Sequence, residues 1–379
     1  MRVAINAWCL MSPHTGVASY ARNLILALRE LEGINLELFY GFSWSQTIRD
    51  APVPGIDSAR SIVKKLLPNP YAVNRAVQQI AFTRGVGRLK PDLYHDPSFL
   101  PLHFTGPIVV TVHDLSPIRY PQTHPDSRVR AIEKYLPTAV RRAEQIIVDS
   151  EFIKNEVVSH FRIDAEKVHA VHLGVTNAYA PRSAGDVTPV LARYGLTYKG
   201  YLFAVGTLEP RKNLLQALDA HAALPERARK EAPLVFAGMK GWLAEDLQSR
   251  IRAAEERGEV RWLGYVPPEA LPALYAGARV FVYPSLYEGF GLPVLEAMAS
   301  GVPVITSNQA SLPEVAGDAA LMIDPRDRDG LRDAMLRLLE DDAEVRRLAA
   351  LGFAQAARFT WRACAEKTLA VYRQAMSNG

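Results

Sequence analysis

Cysteine is almost missing from this chain: Cys9 and Cys364 are its only two in 379 residues. They lie far apart and in no metal-ligand spacing, which excludes a disulfide framework and fits a reducing compartment. No apolar run approaches the roughly 18 residues that a membrane-crossing helix needs. Met1-Arg2 leads straight into a short β-like stretch, Val3 to Ala7, with no signal-peptide cleavage pattern. A cytoplasmic protein is therefore expected, with any membrane contact peripheral. Excess charge of one sign is lacking too: the net charge of +4 argues against wholesale nucleic-acid binding. There is no fixed-period repeat and no low-complexity segment. No Gly-x-Gly-x-x-Gly followed by a ribose-binding acid is found, which counts against a nicotinamide cofactor.

What is there describes a globular protein, 49% apolar and 22% charged. Its length makes two domains the natural expectation. Short β-branched runs alternate with longer helical stretches. Val3–Ala7, Leu36–Tyr40, Ile108–Val112, Ala143–Val148 and Val168–Val171 read as strands, and Ser19–Glu30 as an amphipathic helix with Tyr20, Leu24, Ala27 and Leu28 on one side. The periodicity breaks down over residues 180–199, around Pro181, Pro189, Gly195 and Gly200. It restarts with Tyr201–Val205, Pro233–Ala237, Val260–Leu263, Val280–Tyr283 and Pro303–Thr306. The pattern implies α/β architecture with two Rossmann-like domains, residues 1–185 and 198–360, facing each other across a cleft at the carboxyl ends of their sheets.

One segment stands out, Glu288-Gly-Phe-Gly-Leu-Pro-Val-Leu-Glu296. Val280–Pro284 is a strand and Ser285–Gly291 a loop. Pro293 suits the first residue of a helix, and Gly301 with Pro303 ends it. Glu288 then lies in a loop facing the cleft and Glu296 in the first helical turn. Gly289 and Gly291 allow backbone N–H groups to approach a ligand, and a helix N-terminus suits a diphosphate. Glu296 can accept two hydroxyls of a ribose, and Glu288 can hydrogen-bond a sugar ring.

This segment resembles the signature of the retaining glycosyltransferases of family 4, which have two facing Rossmann domains (the GT-B fold) and include bacterial mannosyl- and rhamnosyltransferases. Val205-Gly-Thr-Leu-Glu-Pro-Arg-Lys-Asn213, Leu263-Gly-Tyr-Val266, Ser311-Leu-Pro-Glu-Val-Ala-Gly-Asp318 and Thr15-Gly-Val-Ala-Ser-Tyr20 are also similar to family motifs, in the expected order along nearly the whole chain. The resemblance implies a nucleotide-sugar donor. Arg211 and Lys212, at a helix N-terminus after the strand ending near Gly206, would hold its diphosphate and stabilise it as it leaves. Gly16, Gly206, Gly289, Phe290, Gly291, Leu292 and Glu296 would line the donor site, with the base near Tyr265 and Val266. His113, at the carboxyl end of Ile108–Val112, would as a neutral imidazole donate to a hydroxyl of the transferred sugar, and its backbone would meet the reacting centre. His95 resembles a second family position of less evident role. The C-terminal helix, from about Trp361, would cross back onto the N-terminal domain.

The resemblance further implies same-face attack by the acceptor hydroxyl without a protein nucleophile, so that catalysis is positioning and electrostatics. No Asp-x-Asp metal motif is present, and Asp324-Pro-Arg-Asp327 has the wrong spacing and reads as a turn. No metal and no cofactor besides the donor is expected. General similarity leans to a GDP-linked mannose or rhamnose and a lipid-linked oligosaccharide of the O-antigen type. Arg60, Lys64, Lys65, Arg75, Arg84, Arg88 and Lys90, with no acidic residue from Ser58 to Lys90, form a basic stretch suited either to an anionic membrane or to a solvated helix face. A sugar-nucleotide epimerase, a pyridoxal-dependent phosphorylase and a non-catalytic nucleotide-sugar-binding protein of the same fold remain as alternatives.

Overall fold

The computed structural model describes residues 1–11, 16–49, 70–241 and 245–377. Thr15, Arg60, Lys64 and Lys65 lie outside them. Two sheets carry the architecture. The first contains β1 (Arg2–Asn6), β2 (Asn35–Phe39), β3 (Trp44–Ser45), β4 (Leu93–Asp96), β5 (Ile108–Val112), β6 (Gln145–Val148) and β7 (Val168–Ala170). Their order is β3-β2-β1-β4-β5-β6-β7, parallel except for the β2–β3 edge pair. The second contains β8 (Leu202–Val205), β9 (Leu234–Ala237), β10 (Val260–Trp262), β11 (Val280–Tyr283), β12 (Val304–Ser307) and β13 (Ala320–Ile323), all parallel, in the order β10-β9-β8-β11-β12-β13.

The strands form where β-branched runs can be covered on both faces. Every residue of β5, Ile-Val-Val-Thr-Val, is buried, as expected of a central parallel strand. Strand order reverses between β1 and β4 in the first sheet and between β8 and β11 in the second. The loops leaving those strands are where an open α/β sheet offers a crevice to ligands. Gly206 and Arg211 follow β8, Glu288 follows β11, and His113 follows β5.

One expectation needs correcting. The presumed break at 180–199 holds a helix, Ala184–Arg193. Ser183 and Asp186 cap it reciprocally, and Val187 and Leu191 are buried. Its packing against the Leu271–Gly277 helix places it with the second sheet. Pro189 inside it conceals the helical pattern, because an interior proline forfeits a backbone bond.

The last helix, Trp361–Ser377, lies on the first helix, Gly16–Arg29, and on β4, β5 and β6. Its anchor is polar. His95 Nδ1 is 2.7 Å from Tyr372 Oη and its Nε2 is 2.8 Å from Thr111 Oγ1, all buried. Burial pulls the His95 imidazole down to about 3, so the ring is neutral and joins the C-terminal helix to the first sheet. Replacing Tyr372 by Phe leaves His95 Nδ1 buried without its partner. We expect a loss of about 1–3 kcal/mol in denaturant unfolding; an unchanged midpoint would show that this anchor is dispensable.

Candidate active site

At the switch point of the second sheet, the loops after β8 and β11 meet through one carboxylate. Glu288 is 7% exposed and accepts from Arg211 Nη1 (2.9 Å), Lys212 Nζ (2.8 Å), Tyr283 Oη (2.9 Å) and Ser285 Oγ (2.6 Å). Burial alone would raise its pKa, but the Arg211 and Lys212 charges outweigh it and hold the carboxyl at about 2. Arg211 is also buried; it donates to Glu209 Oε1 (2.8 Å) and to the Tyr287 carbonyl (2.6 Å). The two cations sit on a 3-10 turn, Pro210–Lys212, immediately before the Leu214–Ala222 helix. Glu288 thus offsets the cost of cations at a helix N-terminus. Donors remain unused: Arg211 Nε is buried with no partner, and Lys212 Nζ spends two of its three N–H groups, on Glu288 and Tyr283. Gly206 adopts φ +145°, and an added Cβ there would sit 3.5 Å from the Lys212 aliphatic chain.

Glu296 lies elsewhere in its helix than expected. Gly291, at φ +117°, is the N-cap, and the helix starts at Leu292, one residue before Pro293. Glu296 is therefore its fifth residue, in the second turn. Glu296 and Leu292 are among the residues that line a cavity of about 200 Å³ between the two domains. Burial pushes the Glu296 carboxyl up to about 7, and the nearby Tyr275 and Tyr179 hydroxyls offset only part of that. Phe290 takes no place in the cavity wall; it is buried against His172 and Phe359. Val266 is buried in the core, and the Tyr265 ring is exposed at the surface. Gly16 begins the first helix, and a Cβ there would meet nothing within 4 Å.

His113, at the end of β5, is held on both sides of its ring. Its Nδ1 is 2.8 Å from Asp149 Oδ2 and its Nε2 is 2.8 Å from the Pro97 carbonyl. Both partners are acceptors, so both nitrogens are drawn to donate. Burial opposes the charge, but Asp149, the Pro97 carbonyl and Asp114 prevail and raise the pKa. Both ring nitrogens are engaged by these partners, which fix the orientation of the ring beside the cleft. What His113 offers the cleft is its backbone: a Cβ on Gly289 would lie 2.0 Å from the His113 carbonyl oxygen. Gly289 is required by the close approach of the two domains.

Other contacts hold that approach, and sequence reasoning missed them. Ser150 Oγ donates to the Gly289 carbonyl (2.8 Å). Leu115 N–H donates to Tyr287 Oη (3.2 Å). Glu314 accepts from the N–H groups of Glu151 (3.0 Å) and Phe152 (3.3 Å), and pairs with His172. Glu314 sits in the Ser311–Asp318 motif, which was the available signal. Asp324 and Asp327 make local turn and capping bonds, to Arg326 N–H and Gly330 N–H.

Residues 14–178 match the family model described as Glycosyltransferase Family 4, and residues 196–353 match Glycosyl transferases group 1. The chain is 39% identical over 370 residues to an O-antigen chain mannosyltransferase B of Escherichia coli, covering 95% of this chain and 96% of that one. It is a family 4 glycosyltransferase. The fold is shared with a sucrose-phosphate synthase of Thermosynechococcus elongatus (TM-score 0.72, 22% identity, 100% and 99% of the two chains). It is also shared with Anabaena Alr3699/HepE in complex with UDP-glucose (TM-score 0.72, 17% identity, 98% and 99%).

The state of Glu296 gives this glycosyltransferase a pH signature. A hydroxyl-bearing ligand on the ionised carboxylate lowers its pKa, so affinity rises with pH through about 7 and levels off above it. Calorimetric Kd values for GDP should therefore tighten more from pH 6 to 8 in the wild type than in Glu296→Gln, since the titration of the terminal phosphate is common to both. The same slope in both proteins would remove Glu296 from the ligand.

Proposed function

We propose that this glycosyltransferase moves a mannosyl unit from a GDP-linked donor to a lipid-linked saccharide during bacterial O-antigen assembly, with retention and without a divalent ion. The sugar and the polysaccharide rest on similarity to the Escherichia coli mannosyltransferase. The chemistry rests on one observation, the largely buried Arg211–Glu288–Lys212 cluster with donors to spare. A diphosphate brought to it meets the Lys212 ammonium and the Arg211 guanidinium, which neutralise charge as the bond to the sugar breaks.

Retention by same-face attack agrees with the state of Glu288. A carboxylate held near pKa 2 by two cations is a poor nucleophile and a poor base. The leaving phosphate then takes the acceptor proton. Arg211 and Lys212 supply the countercharge that a metal supplies in other transferases.

The test is a transfer assay with GDP-mannose against UDP- and dTDP-sugars on a lipid-linked acceptor. Wild type should use GDP-mannose. Lys212→Ala should lose about a hundredfold or more in turnover while donor Kd moves much less. Unchanged turnover would sink the leaving-group role.

Peripheral membrane docking belongs to the same proposal. Arg75 drops out of the basic surface, since its guanidinium donates to the Leu100 and Pro101 carbonyls. The Pro70–Leu89 helix still exposes Val77, Ile80, Arg84 and Arg88, followed by exposed Lys90. No helix among the described residues is long and apolar enough to cross a membrane. Arg84→Gln/Arg88→Gln should weaken binding to phosphatidylglycerol vesicles several-fold; equal binding would end the docking proposal.

A further inference from the structure

Tyr287 stands directly before Glu288 in the loop after β11, and its side chain and its backbone serve different halves of the molecule. The buried ring belongs to the first half. Its hydroxyl accepts from Leu115 N–H (3.2 Å) and donates to Glu156, which in turn pairs with Arg119 Nε (2.8 Å). Tyr120 and Phe152 flank the ring, with centroids 5.3 Å and 6.0 Å away. Leu115, Arg119 and Tyr120 come from the segment after β5, and Phe152 and Glu156 from the Glu151–Phe161 helix. Two elements of the first half therefore hold one phenol. Burial, then Asp114 and the bond to Glu156, raise the pKa of the hydroxyl, so it keeps its proton and remains a donor.

The backbone of the same residue belongs to the second half. The Tyr287 carbonyl accepts from Arg211 Nη1 (2.6 Å), the nitrogen that also donates to Glu288 Oε2 (2.9 Å). Nη1 carries two hydrogens, and both are spent on the Tyr287–Glu288 dipeptide. Nη2 is held by Glu209 Oε1 (2.8 Å). A guanidinium is planar, so directed bonds at two of its nitrogens fix its plane. A movement of Tyr287 therefore carries the Arg211 guanidinium with it. Were the two halves to part, the hydroxyl would lose Leu115 and Glu156 together, and the carbonyl that orients Arg211 would lose its anchor.

We propose that Tyr287 is a positioning residue for the transfer step: gripped by Leu115 and Glu156 of the first half, it orients Arg211 in the second, so that the guanidinium is aimed for reaction while the halves are in contact. This rests on the reading of Arg211 as a group that meets the donor diphosphate. Tyr287 acts through Arg211 and need not touch substrate. Its loss leaves the charge of the site intact and disturbs only its aim, which affects the reacting state more than the binding of the donor.

The experiment measures kcat for mannosyl transfer from GDP-mannose, Kd for GDP and the thermal midpoint in wild type, Tyr287→Phe, Arg211→Lys and the double variant. Tyr287→Phe keeps the ring between Tyr120 and Phe152 and removes only the hydroxyl. Its kcat should fall by about tenfold or more, with Kd within about twofold of wild type. In the Arg211→Lys background the same change should cost far less, because the planar fork it aims is gone. Glu156→Leu removes the hydroxyl's acceptor from the other half of the molecule and should reproduce the loss, even where a Tyr287 variant folds poorly. Glu156→Gln, which keeps an acceptor oxygen, should retain more of the activity. Unchanged kcat in both Tyr287→Phe and Glu156→Leu overturns the inference. Losses of Tyr287→Phe and Arg211→Lys that multiply, or kcat and Kd that worsen together, overturn it too and leave the donor reading intact. Wild-type turnover in Arg211→Lys overturns the reading of Arg211 and this inference with it.

Discussion

A carboxylate buried at the mouth of the second sheet cannot be left alone, and the way Glu288 is satisfied shapes most of the site. An unpaired ion in a dry interior is so costly that the group neutralises or finds partners. Glu288 finds two cations and two hydroxyls, drawn from the loops after β8 and β11. Those loops are joined further by Leu286 N–H to the Arg211 carbonyl (2.9 Å), Ser285 Oγ to the same carbonyl (3.0 Å) and Asn213 Nδ2 to the Pro284 carbonyl (3.0 Å). The two halves of the switch point are therefore one rigid unit. Its spare hydrogen-bond donors are held in place before any ligand arrives, which is the condition for electrostatic stabilisation without reorganisation.

The same unit sets the distance between the domains. The residue after Glu288 is Gly289, and its lack of a Cβ lets the His113 carbonyl approach. Ser311 Oγ lies 2.8 Å from both the Glu288 and Phe290 carbonyls, so the loop is held from behind. Three residues on, Glu314 reaches the N-terminus of the Glu151–Phe161 helix in the other half, where a carboxylate is favoured by the helix dipole. A shift in the Glu288 loop is thus felt at the domain interface.

The sequence made this arrangement legible only in part, and the division has a physical cause. Strands such as β5 and β11 announce themselves because local β-branched runs and burial on both faces agree. Arg211, Lys212, Glu288 and Glu296 were named because their residue types and spacing carry chemistry. Their partners were not legible. That Glu288 binds the two cations, and that His113 is held by Asp149 and Pro97, depends on residues 16 to 77 positions apart, which no local pattern reveals. The contact of Gly289 with the His113 carbonyl was hidden for the same reason. A missing Cβ looks identical in sequence whether a ligand or another domain needs the room. Pro189 hid a helix because a strong local signal was outvoted by Ser183 capping and by the burial of Val187 and Leu191.

The two glutamates of the signature end up in opposite electrostatic states, about 2 for Glu288 and about 7 for Glu296. Such divergence often marks an acid and a base working as a pair. Here the surroundings argue for a different division. Glu288 is low because cations surround it, and in the function proposed above a carboxylate so committed organises the groups that meet the diphosphate. Glu296 is high because it is buried beside tyrosines with no cation at hand, facing an open cavity. A charge-poor acceptor there suits uncharged hydroxyls and discourages phosphate. In the function proposed above, one short segment therefore separates the charged and uncharged parts of a nucleotide, with seven residues of loop and helix between the two glutamates.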